Sequence, residues 1–255
     1  MADEQPVLYA VDGAVARLTL NRPDKRNALN AAVIAALKEN LRRASEDERV
    51  RVIVIAGAGK DFCAGADLAA LQHLSQASVD ENLEDARSLF ELFILIREIP
   101  VPVVAAVTGR ALAGGAGLAS ACDLVLASAS ARFGYPEVKI GFVPAMVMAI
   151  LRRNVSEKRA FELVTRGAEI SAEEAHAFGL VNRIFADESF ESEVATYVSE
   201  FEKLSRSAVS LTKTLLYQMD GLSFSAALQT GADVNVIARL TKDCQERVAR
   251  FLSKS

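Results

Sequence analysis

The chain has 255 residues and a mass of 27.4 kDa, ample for one large domain with an appendage, and its composition is 51% hydrophobic and 24% charged. Its 29 Lys and Arg stand against 33 Asp and Glu, and this net charge of -4 argues against a nucleic-acid or anionic-membrane partner. Met1-Ala-Asp-Glu-Gln-Pro6 lacks the basic flank and apolar run of a signal peptide, and no stretch reaches the ~20 apolar residues of a membrane span. The expected location is therefore cytoplasmic. Cys63, Cys122 and Cys244 are widely spaced and accompanied only by His73 and His176, a set that reads as reduced structural thiols with no metal site.

In chain order, Val7 to Val11 and Ala14 to Leu20 flank Asp12-Gly13 and predict an opening hairpin. Asn30 suits the N-cap of an amphipathic helix running to about Ser45, and Val50 to Ala56 reads as a buried parallel strand. The cycle repeats with a helix from about Leu83 to Ile99, a strand from Val101 to Val107 and a glycine-rich turn. Asp123 to Ala127 and Ala131 to Gly134 predict two more strands. Beyond Pro144, suited to a first helical position, the pattern is nearly all helix and includes the capping box Ser171-x-x-Glu174. Strands alternating with helices give an α/β layer architecture. The division expected is a core over 1–200 and a helical region over 201–255, whose apolar positions need a partner surface.

Two turns carry chemistry: Gly57 to Asp67, and Gly109-Arg-Ala-Leu-Ala-Gly-Gly-Ala-Gly117, each directly after a predicted buried strand. Small residues there leave backbone N–H groups accessible, which suits an anion or a developing oxyanion as well as a plain tight turn. A dinucleotide fingerprint from Gly57 fails because Phe62 occupies its third glycine. A P-loop around Gly59-Lys60 fails because Val54 and Asp61 stand where Gly and Ser/Thr belong. No G-x-S-x-G is present, which disfavours a serine hydrolase.

Four ordered segments then resemble the enoyl-CoA hydratase/isomerase (crotonase) family across essentially the whole chain. They are Asn21-Arg-Pro-Asp-Lys-Arg-Asn-Ala-Leu29, Phe62-Cys-Ala-Gly-Ala-Asp67-Leu68, Ala111-Leu-Ala-Gly-Gly-Ala-Gly117 through Cys122-Asp123, and Phe133-Gly-Tyr-Pro-Glu137-Val-Lys-Ile-Gly141. Ala113 replaces the first of the three glycines in the third segment. The resemblance implies a spiral of ββα units followed by a helical trimerisation region. It also implies that the backbone N–H groups of Ala66 and Gly114 hold a thioester oxygen and stabilise its enolate. Coenzyme A, part of the substrate rather than a separate cofactor, would lie near Lys25, Arg26, Ala28 and Ala64, with Lys60 placed for a phosphate. As ordinary surface cations, these Lys and Arg side chains would merely be solvated. Asp67 reads as a helix cap and Asp123 as a backbone anchor at a strand start.

Hydratases of the family pair two glutamates; the later one matches Glu137 and the earlier one falls on Gly117. Partly desolvated by Tyr135, Pro136 and Val138, Glu137 suits a general base, although a solvated loop glutamate is the plainer reading. One base and no water suffice for a double-bond shift, and the family's isomerases are similar in placing an apolar residue at the earlier position. A hydratase using Glu137 with a water in the space left at Gly117, and a non-catalytic acyl-CoA-binding paralogue, remain alternatives. Leu68, Leu71, Gly117, Val143 and Met146 are the pocket residues this placement implies, extended by Phe90, Phe93 and Met148. Arg250-Phe251 resembles the closing helix that reaches a neighbouring subunit's coenzyme site, which implies a homotrimer or a dimer of trimers.

Overall fold

The computed structural model describes residues 5–253. The start of Met1 to Pro6 and the residue Lys254 beyond Arg250-Phe251 lie outside the described residues.

The chain opens as an antiparallel hairpin of β1 (Val7–Asp12) and β2 (Val15–Leu20), in register from Val7↔Leu20 to Asp12↔Val15, with Gly13 at φ 54° in the turn. Helix α1 (Ala31–Glu46) follows. Asn30 Oδ1 accepts from Val33 N at 3.0 Å, and Val33, Ile34, Leu37, Leu41 and Ala44 form its buried face. Strand β3 (Val52–Gly57) is buried on both faces apart from its last residue, as an interior parallel strand requires.

Helices α2 (Leu68–Leu74) and α3 (Val79–Glu98) come next. The sequence pattern places the start of α3 near Leu83; the helix begins four residues earlier because Ser78 and Glu81 form a capping box. Then follow β4 (Val103–Val107), β5 (Arg110–Leu112), α4 (Gly114–Ala121), β6 (Leu124–Ser128) and β7 (Arg132–Gly134). The second half holds α5 (Ala145–Asn154), α6 (Glu157–Arg166), β8 (Glu169–Ser171), α7 (Ala172–Phe178), β9 (Arg183–Phe185) and α8 (Phe190–Ser199). It ends with α9 (Arg206–Gln218), α10 (Phe224–Leu240) and α11 (Lys242–Leu252).

Two expectations change. Pro144 occupies the cap position of α5 rather than its first helical position, and β8 and β9 interrupt the region read as nearly all helix. Each of these strands has three residues, too few for a two-residue alternation to register.

The larger sheet has the order β1-β2-β3-β4-β6-β9, parallel from β2 onward, and the smaller one β5-β7-β8. Pairing of β5 with β7 brings Leu112 opposite Gly134, so the chain leaves both strands on one side of the small sheet. Asp123 secures the start of this region: its Oδ2 accepts from Val103 N at 2.7 Å, as the sequence suggested, and also from the Lys213 ammonium at 2.7 Å. Lys213, buried on α9, further donates to the carbonyls of Ile96 and Val101, while Tyr217 donates to Asp123 Oδ1. This satisfied polar knot fastens α9 to the core; removing one partner of such a pair typically costs about 3–5 kcal/mol. Among the described residues no helix is long and apolar enough to cross a membrane.

Candidate active site

The first turn is held by two residues that sequence reasoning passed over as candidates. Asn27, buried at φ 56°, accepts from Arg22 N and donates through Nδ2 to the carbonyls of Ala58 (2.9 Å) and Asp61 (2.7 Å). Asparagine is among the few side chains that tolerate this left-handed conformation, which was the available signal. Arg22 donates to Ala28 O at 2.8 Å and to Asp67 Oδ2 at 2.9 Å, and this guanidinium holds the Asp67 carboxyl below its ordinary range. Asp67 also caps α2 through Ala69 N at 3.0 Å. Leu29 N donates to Gly65 O and Asp67 N donates to Leu29 O, so Ala66 is gripped on both sides. Its own N–H, at an exposed residue, has no acceptor within the described residues.

Cys63 stitches this turn to β5, donating from N to Arg110 O and accepting at O from Leu112 N. Buried completely, the Cys63 thiol is pushed up to about 12 and has no role as a nucleophile. The second turn follows β5 at once. Ala113 adopts φ 51°, ψ -123°, a conformation glycine takes freely and alanine only under strain, and it is locked by Ala113 N donating to Gly134 O at 2.8 Å. Gly114 then begins α4, and its N–H also has no acceptor within the described residues. The two free donors adjoin: a Cβ built on Gly65 would lie 3.4 Å from Gly114 N, and one built on Gly114 would lie 4.0 Å from Ala66 N.

Glu137 enters from the partner strand. It lies three residues past Gly134, in the short 3-10 segment Pro136–Ile140, where Pro136 fixes the first position and Gly141 at φ 74° closes the turn. The side chain is buried, its Oε2 lacks a hydrogen-bond partner among the described residues, and Tyr135 beside it is buried with its hydroxyl 3.2 Å from Ser120 Oγ. Burial raises the Glu137 pKa, against a weaker opposing contribution from its own backbone N–H. A desolvated carboxylate with one oxygen left unpaired is the chemistry of a base waiting for a proton.

Position 117 is closed. A Cβ built on Gly117 would lie 2.2 Å from Val147 Cγ1 and 3.4 Å from Phe93 Cζ, so apolar side chains from α5 and α3 already fill the place of a missing side chain. This corrects the suggestion of a water-sized space there.

The sequence pattern of enoyl-CoA hydratase/isomerase matches residues 10–255. The chain belongs to the enoyl-CoA hydratase/isomerase family. It is 42% identical over 242 residues to a putative enoyl-CoA hydratase of Thermus thermophilus, covering 95% of this chain and 96% of the relative. The 2,3-dehydroadipyl-CoA hydratase of Escherichia coli is 34% identical over 238 residues, covering 93% and 91%. Among solved structures, an enoyl-CoA hydratase of Mycobacterium smegmatis superposes with TM-score 0.93 at 34% identity, covering 98% and 97% of the two chains. Human enoyl coenzyme A hydratase domain-containing protein 3 gives TM-score 0.93 at 29% identity and 98% coverage of each. The protein is thus a crotonase-fold enzyme acting within acyl-CoA chemistry.

The remaining candidates of this enoyl-CoA hydratase/isomerase family member fall into separate places. Lys25 and Arg26 are exposed on the turn that closes the 3-10 segment Pro23–Lys25, Ala28 is buried just beyond, and Ala64 N donates to Arg26 O at 3.0 Å. Gly59 packs on Pro23, which brings exposed Lys60 to the same rim. A cleft of about 780 Å³ runs past Arg22, Pro23 and Lys25. Leu71 lines a narrow cavity with Ala66 and Gly114. Leu68, on the same helix, is 70% exposed and is not among the residues lining it, and Val143 and Met148 are exposed too. Met146 lines a different cavity of about 610 Å³ together with Phe90 and Phe93. Phe251 is an exposed residue of α11, a helix whose contacts run to α10, Lys203 and Ser205.

Proposed function

We propose that this enzyme shifts the double bond of a 3-enoyl-CoA to the 2-position. Glu137 takes a proton from C2, and the electrons of that C–H bond form C1=C2 as the carbonyl pair moves onto the thioester oxygen. When the carbonyl re-forms, the C1=C2 electrons become C2=C3 and the former C3=C4 electrons accept a proton at C4, returned by the same carboxyl. In between, the thioester oxygen carries the enolate charge against the N–H groups of Ala66 and Gly114, fixed before the substrate arrives, the arrangement in which such donors are worth most. The exposed rim of Lys25, Arg26 and Lys60, with Ala28 and Ala64 between them, suits the phosphates and adenine of coenzyme A.

The observation that carries this reading is the filled space at Gly117. Hydration by paired carboxylates needs a second acid/base where Val147 and Phe93 now pack, whereas a proton shuttle needs one. The hydratase names of the relatives favour a second reading, in which Glu137 alone activates water for addition to a 2-enoyl-CoA. Parallel assays of trans-3-hexenoyl-CoA and crotonyl-CoA separate the two. Isomerisation of the first at rates well above hydration of the second is expected; fast hydration without isomerisation would reverse the assignment.

The last helices support an oligomeric assembly. Within α10 and α11 no residue is buried, and Phe224, Leu228, Leu240 and Phe251 are 81, 60, 71 and 74% exposed, more apolar surface than a free monomer usually shows. A homotrimer or dimer of trimers, with α11 reaching a neighbour's coenzyme rim, would cover it. Light scattering should give a trimeric or hexameric mass, and a monomer would remove the idea.

A further inference from the structure

We propose that Asp85 sets the substrate class of this site by accepting a hydrogen bond from a donor-bearing acyl chain, one with a hydroxyl or protonated amine near its far end. The inference rests on the acyl-CoA reading above. The narrow cavity behind the two free N–H groups is closed by α1, α2 and α3, with Ile34, Leu71 and Leu89 as apolar wall. Three polar side chains also line it. Asn30 spends its oxygen on the α1 cap, and Asp67 is occupied by Arg22 and the α2 cap. Asp85, partly buried, has neither a hydrogen bond nor an ion pair within the described residues. It lies one helical turn from Leu89 on α3, so both project from the same face of the helix, the face the cavity touches.

A carboxylate here is out of place in a purely alkyl pocket. It lines the same narrow cavity as the two free N–H groups, where enolate charge would develop, and two negative charges held that close repel. A saturated hydrocarbon tail would also strip water from Asp85 without replacing its hydrogen bonds, the situation that sites built around a polar group penalise. A donor on the chain cures both: it satisfies the carboxylate and, if cationic, cancels its charge. A chain ending in a carboxylate does the opposite and should be rejected.

The test compares six-carbon 3-enoyl-CoA thioesters ending in methyl, hydroxyl, amino or carboxyl groups, in the wild-type enzyme and in Asp85→Asn and Asp85→Leu. Dissociation constants for hexanoyl-CoA and 6-hydroxyhexanoyl-CoA are measured alongside. The wild type should favour the hydroxyl or amino chain over the methyl chain by about tenfold in kcat/KM and in affinity, with the carboxyl chain worst. Asp85→Leu should abolish or invert that order and Asp85→Asn should relax the rejection of the carboxyl chain. An equal preference in wild type and Asp85→Leu, or a wild type that favours the methyl or carboxyl chain, overturns the proposal. If no enoyl-CoA is isomerised yet the affinity ratio still depends on residue 85, the double-bond shift falls and this assignment stands; if no acyl-CoA binds, both fall.

Discussion

The two glycine turns and the Glu137 segment serve one proposed reaction but are built in opposite ways. Ala66 and Gly114 sit where each neighbour is tied down: Leu29, Gly65 and Asp67 around one, Ala113 and Gly134 around the other. Their chemistry is backbone, indifferent to side-chain identity so long as nothing intrudes. Glu137 stands on a single turn between Pro136 and Gly141, with an oxygen that nothing among the described residues satisfies. One region stores geometry and the other stores an unfavourable charge. For the proposed reaction, the comparison teaches that electrostatic stabilisation would be distributed through the fold, while proton transfer would rest on one atom group.

The sharpest way to break that contrast is Glu137→Gln. Loss of the base should lower kcat for the double-bond shift by about 10³-fold, within the range for general-base catalysis, while acyl-CoA affinity stays nearly the same. The same variant reads the stored charge. Because burial raises the folded-state pKa of Glu137, its contribution to stability is full below the ordinary value of 4.5 and is lost as pH rises through the raised value. The glutamine variant has no such loss, so its Tm advantage should widen upward from about pH 4.5. Activity limited by this base should rise over the same window in which stability falls. A pH-independent difference in Tm would sever the link.

Gly114→Ala probes the other region. The added methyl finds room, 3.6 Å from Leu29 Cδ1, but it enters the space beside Ala66 N where the thioester oxygen would lie. A rate loss of about 10²–10³ with an unchanged Tm is expected, the size seen when one oxyanion donor is removed. A fall in Tm with normal kcat would instead make this turn structural only. The smallest effect belongs to Ala113→Gly. Releasing the strained φ of 51° should offset glycine's greater unfolded-state entropy and raise stability by about 1 kcal/mol, read by urea unfolding.

Local rules carried much of this in advance. Asn30, Ser171 and Asp67 cap the helices their positions announced, because a cap depends on residues within one turn. The hairpin and the buried strands were legible for the same reason. What stayed hidden depends on residues far apart in sequence. Nothing near Gly117 tells that Val147 will fill it, nothing near Arg22 tells that it reaches Asp67, and Asp123 gave no hint of Lys213, 90 residues on. Asp85 was equally silent, since on α3 it looks like one more surface acid until the fold sets it in a cavity shared with α1 and α2. Short strands such as β8 fall below the length at which periodicity speaks.

The contact between Gly117 and Val147 has a consequence for how such enzymes diverge. A glutamate introduced at 117 alone would collide with the valine, and a smaller residue at 147 alone would leave a void in an apolar wall. Either single step is a loss, and only the pair opens a route toward a two-carboxylate site. The two positions are therefore coupled: with Val147 packed against the glycine, access to a two-carboxylate site is gated by packing rather than by chemistry, and the two residues should change together or not at all.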